Sequence, residues 1–492
     1  MKKPNNENTI SYNYHIYKDG VRQKLSREER REIERKKRKL EKKLRGVNLP
    51  VVFDNDTVTA SGNFALIETF ERMIGLKEIV EKEFTLKKAP NSKYSTTDLL
   101  LEMIDGCILG KSRFVHTEEL RHDPGYKEIK GIKDFPGEKC FRELYGKFDD
   151  KGKHLEELEK INDRIISMKS QTETPREVWL DYDDTVIELF GEQELGERGY
   201  NPRYKGRPSL KAKVCFISGS AELLKIDLYG GKTHLNKGFL EFHKACEDKL
   251  PRNYVLKGIR GDAAVFDEEN LEYFEEKSLE YVLKAKMNGS LKRKIMQIGD
   301  WKKLNDRYSI AEIEIALDSW KHARRFVVIR ENMSIGGQLY LGKEFYKYQA
   351  IVTDIMDISP EEIWHLYNGR GTVENKIDEL KNGFAVSEAS QHEIKRNRAY
   401  ALVKQIAYNI FVWWKAAVLP DERKGCEIET VRHEIINVPG NIVGSGRYKR
   451  IRLAVNGVLE WIVQVIKRNL KKFFYTVASD FNLMVWDVRA GP

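Results

Sequence analysis

Three aspartates stand close together in the segment VWLDYDDTVIELFGE (178–192): Asp181, Asp183 and Asp184, followed by Thr185. The surrounding run is apolar and reads as a strand. Alternate side chains of a strand share a face, so Asp181, Asp183 and Thr185 point one way. Several carboxylates on a half-buried face are costly unless a cation meets them. A second candidate, Asp262, follows the apolar run of VLKGIRGDAAVFD, where open α/β sheets place their chemistry; a lone Asp there is also an ordinary helix N-cap. The third group is Tyr367, Arg370, Glu374 and Lys381 in WHLYNGRGTVENKIDELKNGF. At 100° per residue the four fall within about 60° of one another on a helix. Such a stripe is not a core face; its other reading is a solvated charged face.

The elements that must carry these groups change period along the chain. Residues 1–23 look irregular. SREERREIERKKRKLEKKLRG (26–46) opens with Ser26 and Glu29 in capping-box spacing and holds eleven Lys/Arg against five Glu. It reads as a basic arm for phosphates or as a solvated helix. Helical periodicity fills 51–170, with polar, basic connections suited to DNA binding. Then REVWLDYDDTVIELF, KAKVCFISGS and AELLKIDLYG read as three strands, followed by helix, strand, helix and strand. A three-strand meander followed by α-β-α-β is the order of a ribonuclease-H-like domain. Further antiparallel strands are expected over 289–358, and helices from Pro360 onward. The expected organisation is a basic arm (1–50), a helical DNA-binding domain (51–170), an α/β core in two parts (171–288 and 359–425) interrupted by a β-rich insertion (289–358), and a basic helical C-terminal region (426–492).

The bulk composition agrees. A formal net charge of +10 and a third of residues charged favour a polyanionic partner. Five scattered cysteines, never in a C-x-x-C pair, argue for a reducing compartment and against structural zinc. The N-terminus lacks an apolar signal core. The apolar stretch YALVKQIAYNIFVWWKAAVL (400–419) is interrupted by Lys404, Gln405, Asn409 and Lys415, so it reads as a buried helix and not a membrane span. A soluble cytoplasmic protein is expected.

DYDDT also fits the D-x-D-x-T pattern of haloacid-dehalogenase-like phosphatases, and GDAAVFD resembles that family's metal-binding segment. That fold needs a tight helical turn after the aspartates, whereas here a strand continues through VIELF. It also has no use for the Tyr/Arg/Glu/Lys stripe. Taken together, LDYDDTVIELFGEQ, GGKTHLNKGF, IRGD, LRHDP (120–124) and above all Y-x-x-R-x-x-x-E-x-x-x-x-x-x-K at 367–381 resemble DDE transposases of bacterial insertion sequences. The resemblance is to the insertion-sequence 1380 family, with the insertion-sequence 4 group and, distantly, piggyBac as wider relatives. It covers residues from about 55 to beyond 410.

The resemblance implies two Mg²⁺ ions, replaceable by Mn²⁺, held by Asp183, Asp262 and Glu374, with Asp181, on the same face, the alternative for the first carboxylate or a further acidic ligand. The intervals of 79 residues (183 to 262) and 112 (262 to 374) leave room for the insertion in the second. Tyr367, Arg370 and Lys381 inherit DNA-phosphate contacts. Trp301 and Trp320 become candidates for stacking on a flipped base, with core packing the commoner role for a tryptophan. The implied reaction is cleavage of double-stranded DNA at terminal inverted repeats, then attack of the freed 3′-hydroxyl on target DNA by at least a homodimer. A domesticated relative that binds DNA without cutting is the alternative, against which the intact Asp183, Asp262 and Glu374 speak.

Overall fold

The computed structural model describes residues 15–18, 21–24, 26–44, 57–149, 151–199, 201, 204–234, 236–318, 320–333, 346–454 and 457–480. The chain divides into two units, Met1–Asp56 and Thr57–Pro492. The first holds a short hairpin, His15–Lys18 with Val21–Lys24, and a helix, Arg27–Leu44. That helix opens with the expected reciprocal cap: Glu29 N donates to Ser26 Oγ (3.2 Å) and Ser26 N to Glu29 Oε2 (2.8 Å).

The second unit begins with helices, among them α1 (Phe64–Met73), α2 (Thr96–Ile108), α3 (Pro124–Lys130) and α4 (Lys153–Gln171). Asp123, of the LRHDP segment, caps α3 by accepting from Tyr126 N (2.7 Å). A mixed sheet follows: β1 (Arg176–Glu188), β2 (Ser209–Ile217), β3 (Leu223–Gly230), β4 (Tyr254–Gly261) and β5 (Glu280–Lys284). Two helices, α5 (Phe239–Lys249) and α6 (Glu268–Glu276), lie in the crossovers before β4 and β5. The strands β1, β2 and β3 pair antiparallel in sequence; β4 lies parallel to β1, and β5 parallel to β4. β1 runs unbroken to Glu188 and returns through β2, so the tight helical turn a dehalogenase-like phosphatase needs after Thr185 is not there.

The strands expected as an insertion do not form a separate layer. β6 (Lys302–Lys303), β7 (Tyr308–Ile315), β8 (Arg324–Asn332) and β9 (Tyr346–Thr353) extend the same sheet, giving the order β3-β2-β1-β4-β5-β9-β8-β7-β6. β9 pairs antiparallel with β5, Ile351 opposite Lys284, and so covers an edge whose N–H and C=O groups would otherwise face solvent. The first half of the long strand expected over QLYLGKEFYKYQAIVTDI lies outside the described residues.

Behind the sheet runs α9 (Ile394–Val418), 25 residues long and almost wholly buried. The polar residues that interrupt its apolar sequence are hydrogen-bonded plugs. Asn409 accepts from Leu223 N (2.9 Å) and donates to Leu223 O (2.9 Å), and Gln405 donates to Leu223 O (2.8 Å), while Lys404 donates to Ala385 O. A buried donor without a partner would cost about 1–3 kcal/mol, and the Asn409 and Gln405 bonds tie α9 to the start of β3. Trp413 and Trp414 of α9 join the core, which α4, α2 and α10 (Gly457–Asp480) close. Among the described residues no helix is long and apolar enough to cross a membrane.

Two expectations need correcting: residues 1–23, expected to be irregular, include the paired strand His15–Lys18 and the start of its partner Val21–Lys24, and the end of the chain differs as well. The C-terminal region is not helical throughout: Gly440–Val443 and Arg450–Leu453 form a hairpin that also pairs with Val58–Thr59. The turn between them uses Gly444 at φ +100° and Gly446 at φ +57°, a backbone region glycine enters without penalty.

Candidate active site

The parallel register of β1 and β4 sets Asp181 opposite Arg260 and Tyr182 opposite Gly261. One residue further along each strand's direction come Asp183, still within β1, and Asp262, just past the end of β4, so the two aspartates lie side by side. Adjacent strands lie about 4.8 Å apart. Asp262 ends its strand in a turn, its Oδ1 accepting from Ala264 N (2.8 Å). Asp183 stays in the sheet and is largely buried. Its carboxyl is pushed up to about 7, first by burial and then by the charge of Asp262, against the pull of Arg370. Two carboxylates this close repel each other and call for positive charge.

Arg370 supplies one such charge. Its Nη2 lies 2.7 Å from Asp183 Oδ2, and its Nη1 is 3.8 Å from Glu374 Oε1. Burial works against the guanidinium's charge, but Asp183, Tyr367, Asp262 and Glu374 together outweigh it. The Tyr367 phenol is pushed up by burial and by Asp262 and Asp183, and held back by Arg370. Two aspartates, a tyrosine, an arginine and a glutamate therefore share one electrostatic neighbourhood. Arg370 Nε is buried there with no hydrogen-bond partner, so one strong donor is left over.

The stripe that brings them together is not the straight helix expected from a single helical wheel. Helix α7 (Pro360–Asn368) starts at a capping box, Glu362 N donating to Ser359 Oγ (3.3 Å) and Ser359 N to Glu362 Oε2 (2.8 Å). At Gly369–Arg370 the chain tightens, Arg370 N bonding Tyr367 O (2.9 Å), before α8 (Gly371–Asp378) begins. The end of α8 widens into a π turn, Glu379–Gly383, which carries Lys381 half-buried. The elbow turns Arg370 inward, whereas the Glu374 side chain is 71% exposed.

Asp181 has a different neighbour from Asp183. Both its oxygens are taken by Arg260, Nε at 2.6 Å and Nη2 at 2.8 Å, in a fully buried pair. Asp184, on the opposite face, meets Lys211 at 3.3 Å. Trp301 and Trp320 already have ring partners within the protein. Trp301 lies against Tyr348 and beneath Arg330, its indole N–H donating to Ile298 O (3.1 Å); Trp320 packs on Phe266, Phe326 and Arg324.

Among the described residues, the charged and polar groups that act on Asp183 are Arg370, Asp262 and Asp184, so its ligand-type neighbours are carboxylate oxygens, which are hard donors. Among the described residues the carboxylates whose oxygens come within 4.8 Å of one another are not Asp183, Asp262 and Glu374 but a set the sequence reading missed, Glu68, Glu71 and Asp105, all buried among α1, α2 and α3. The i, i+3 spacing of Glu68/Glu71 on α1 and of Glu102/Asp105 on α2 was the available signal.

The family model for the Transposase DDE domain group 1 matches residues 41–473. The chain belongs to that family. It is a DDE-type transposase by descent, from a family whose chemistry uses divalent metal. No curated protein matches it. Among solved structures it is similar to the piggyBac transposase in a synaptic complex with hairpin DNA, at 10% identity, with 87% of each chain covered and a TM-score of 0.42.

Proposed function

We propose that this transposase cuts double-stranded DNA at terminal inverted repeats and joins the freed 3′-hydroxyl ends to target DNA, with Asp183, Asp262 and Glu374 as its metal-holding carboxylates. The observation that carries this is the meeting of Asp183, within β1, and Asp262, just past the end of the neighbouring parallel β4, beside Arg370 and the elbow that bears Glu374, in a chain of DDE descent. The order β3-β2-β1-β4-β5, with β1, β4 and β5 parallel, supports a ribonuclease-H-like core for this site.

Two divalent ions held there would activate the attacking oxygen and stabilise the leaving one in an in-line displacement at phosphorus. The protein's own groups do the rest. Asp183 and Asp262, fixed by the sheet, offer preorganised oxygens. Glu374, facing solvent, is the third carboxylate and is accessible from the DNA side. Arg370 neutralises the aspartates and has an unused Nε, so it is equipped to pass from Asp183 to a phosphate oxygen beside the cut. Tyr367 and Lys381 would flank it as further phosphate contacts. The basic arm and the helical region 51–170 would grip the repeat, with affinity that falls steeply with salt. Two ends cut in one complex call for a dimer or larger assembly on DNA.

The test is to incubate the purified protein with Mg²⁺ and a labelled duplex carrying the repeat that flanks its gene. Nicking at the repeat boundary, leaving a 3′-hydroxyl, is expected. Intact DNA together with hydrolysis of a small phosphate ester would give DYDDT to a phosphatase instead.

A further inference from the structure

Arg260 sits two residues before Asp262, at the end of β4, and is 6% exposed. A buried guanidinium has to place its N–H groups on acceptors. Nε and Nη2 take both oxygens of Asp181 on β1, Nη2 also donates to Ser218 Oγ (2.5 Å) beyond β2, and Nη1 reaches Leu366 O (2.9 Å) near the end of α7.

That last bond is available because of the elbow. In a continuous α-helix Leu366 O would accept from Arg370 N, but Arg370 N turns to Tyr367 O, and Arg260 takes the carbonyl left over. The residue at the bend is Gly369, where a Cβ would come within 2.7 Å of Arg260 Nη1 and 3.2 Å of Leu366 O. The guanidinium therefore fills the inside of the bend, and only glycine leaves it room. Immediately beyond come Arg370, on Asp183, and Glu374.

We propose that Arg260 is a positioning residue that sets the helix bearing Arg370 and Glu374 against the neighbouring strands β1 and β4 that position Asp183 and Asp262, using Asp181 and Ser218 as its anchor and Leu366 O as the point it holds. This rests on the proposed DNA-cutting function, which supplies the roles of the groups being aligned. Asp181 belongs to this frame, an anchor two residues before Asp183 on the same face of β1. Lysine cannot substitute, because a single ammonium cannot hold a carboxylate bidentately while reaching a carbonyl on another element.

The test compares wild type, Arg260→Lys and Gly369→Ala. Three quantities are read: the single-turnover cleavage rate on the repeat duplex, the duplex Kd, and the Mn²⁺ concentration giving half-maximal rate; melting temperature is recorded alongside. Misalignment of about 1 Å costs on the order of 100-fold in rate, and loss of a group that orients metal ligands costs about 10-fold or more in metal affinity. Arg260→Lys is expected to lose rate on that scale and to need about tenfold more Mn²⁺, with its duplex Kd nearly unchanged. Gly369→Ala, which crowds the bend and leaves Arg260 in place, is expected to shift both quantities the same way by less, with little change in melting. The inference is overturned if both variants keep the wild-type Mn²⁺ requirement, or lose rate only in proportion to unfolded protein. If Arg260→Lys does not fold, Gly369→Ala decides alone. A wild type that leaves the duplex intact defeats the DNA-cutting function itself, an outcome distinct from variants that match an active wild type.

Discussion

Two groups of carboxylates lie in the same chain, one buried and one half-open, and they have been settled in different ways. In the helical region, Glu68, Glu71, Glu102 and Asp105 gather around Lys130, whose ammonium lies 2.6 Å from Glu68 Oε2 and 2.7 Å from Asp105 Oδ2. Tyr126 donates to Glu102 (2.6 Å) and Asp105 (3.1 Å). Burial, then Asp105, pushes Glu102 up to about 8, so the cluster keeps protons as well as a lysine. On the sheet, Asp183 and Asp262 lie beside one arginine with a spare N–H and a glutamate open to solvent. The first group carries its own cation, Lys130, although Glu71 Oε1 and Asp105 Oδ1 are left without hydrogen-bond partners; the second leaves Arg370 Nε spare and Glu374 open to solvent. Carboxylates alone do not mark a site. What separates the two is whether the charge is answered within the fold or left for something from outside.

Substitutions should divide along that line. The largest effect is expected from Glu374→Gln: loss of cleavage by at least about 10³-fold, the several kcal/mol that metal-assisted charge stabilisation supplies. Because the side chain is exposed, the melting temperature should hardly move. Lys130→Met should do the reverse, leaving an acidic cluster without its internal cation and costing about 3–5 kcal/mol in urea unfolding; cleavage per folded molecule should survive. A loss of cleavage with intact folding in Lys130→Met would erase the distinction.

Arg370→Lys keeps the charge and loses the fork. Hydrogen bonds to charged groups are worth about 1.5–3 kcal/mol, so a drop of roughly 10- to 100-fold in cleavage is expected. The smallest effect belongs to Glu102→Gln. In the folded protein Glu102 keeps its proton to about pH 8, while the unfolded chain releases it in the ordinary carboxylate range. Its contribution to stability is therefore full on the acid side and is lost as pH rises through that window. The glutamine variant should fold well at neutral pH and show a flatter fall in stability toward pH 8; an unchanged slope would mean that another group holds the proton.

The sequence reveals the outward-facing site better than the frame that holds it. Strand alternation put Asp183 on a face, and the position after an apolar run singled out Asp262. Both signals are local, and the structure sets the two residues side by side. The partnership of Arg260 with Asp181 depends on cross-strand register between residues 79 apart (181 to 260), which no local pattern carries. A helical wheel over 367–381 assumes an unbroken helix, so it missed the elbow at Gly369 and the π turn that carries Lys381. In the C-terminal region the alternation in RIRL and the glycines at 444 and 446 were outweighed by the basic, helical character of their neighbours.

The most direct measurement is a calorimetric Mn²⁺ titration of wild type, Asp183→Asn, Asp262→Asn, Glu374→Gln and Glu71→Gln, each bound to the repeat duplex. Affinity should weaken by at least about tenfold in the first three variants and stay at the wild-type level in Glu71→Gln. Unchanged affinity in those three, with loss in Glu71→Gln, would put the ion in the helical cluster and contradict the assignment of Asp183, Asp262 and Glu374.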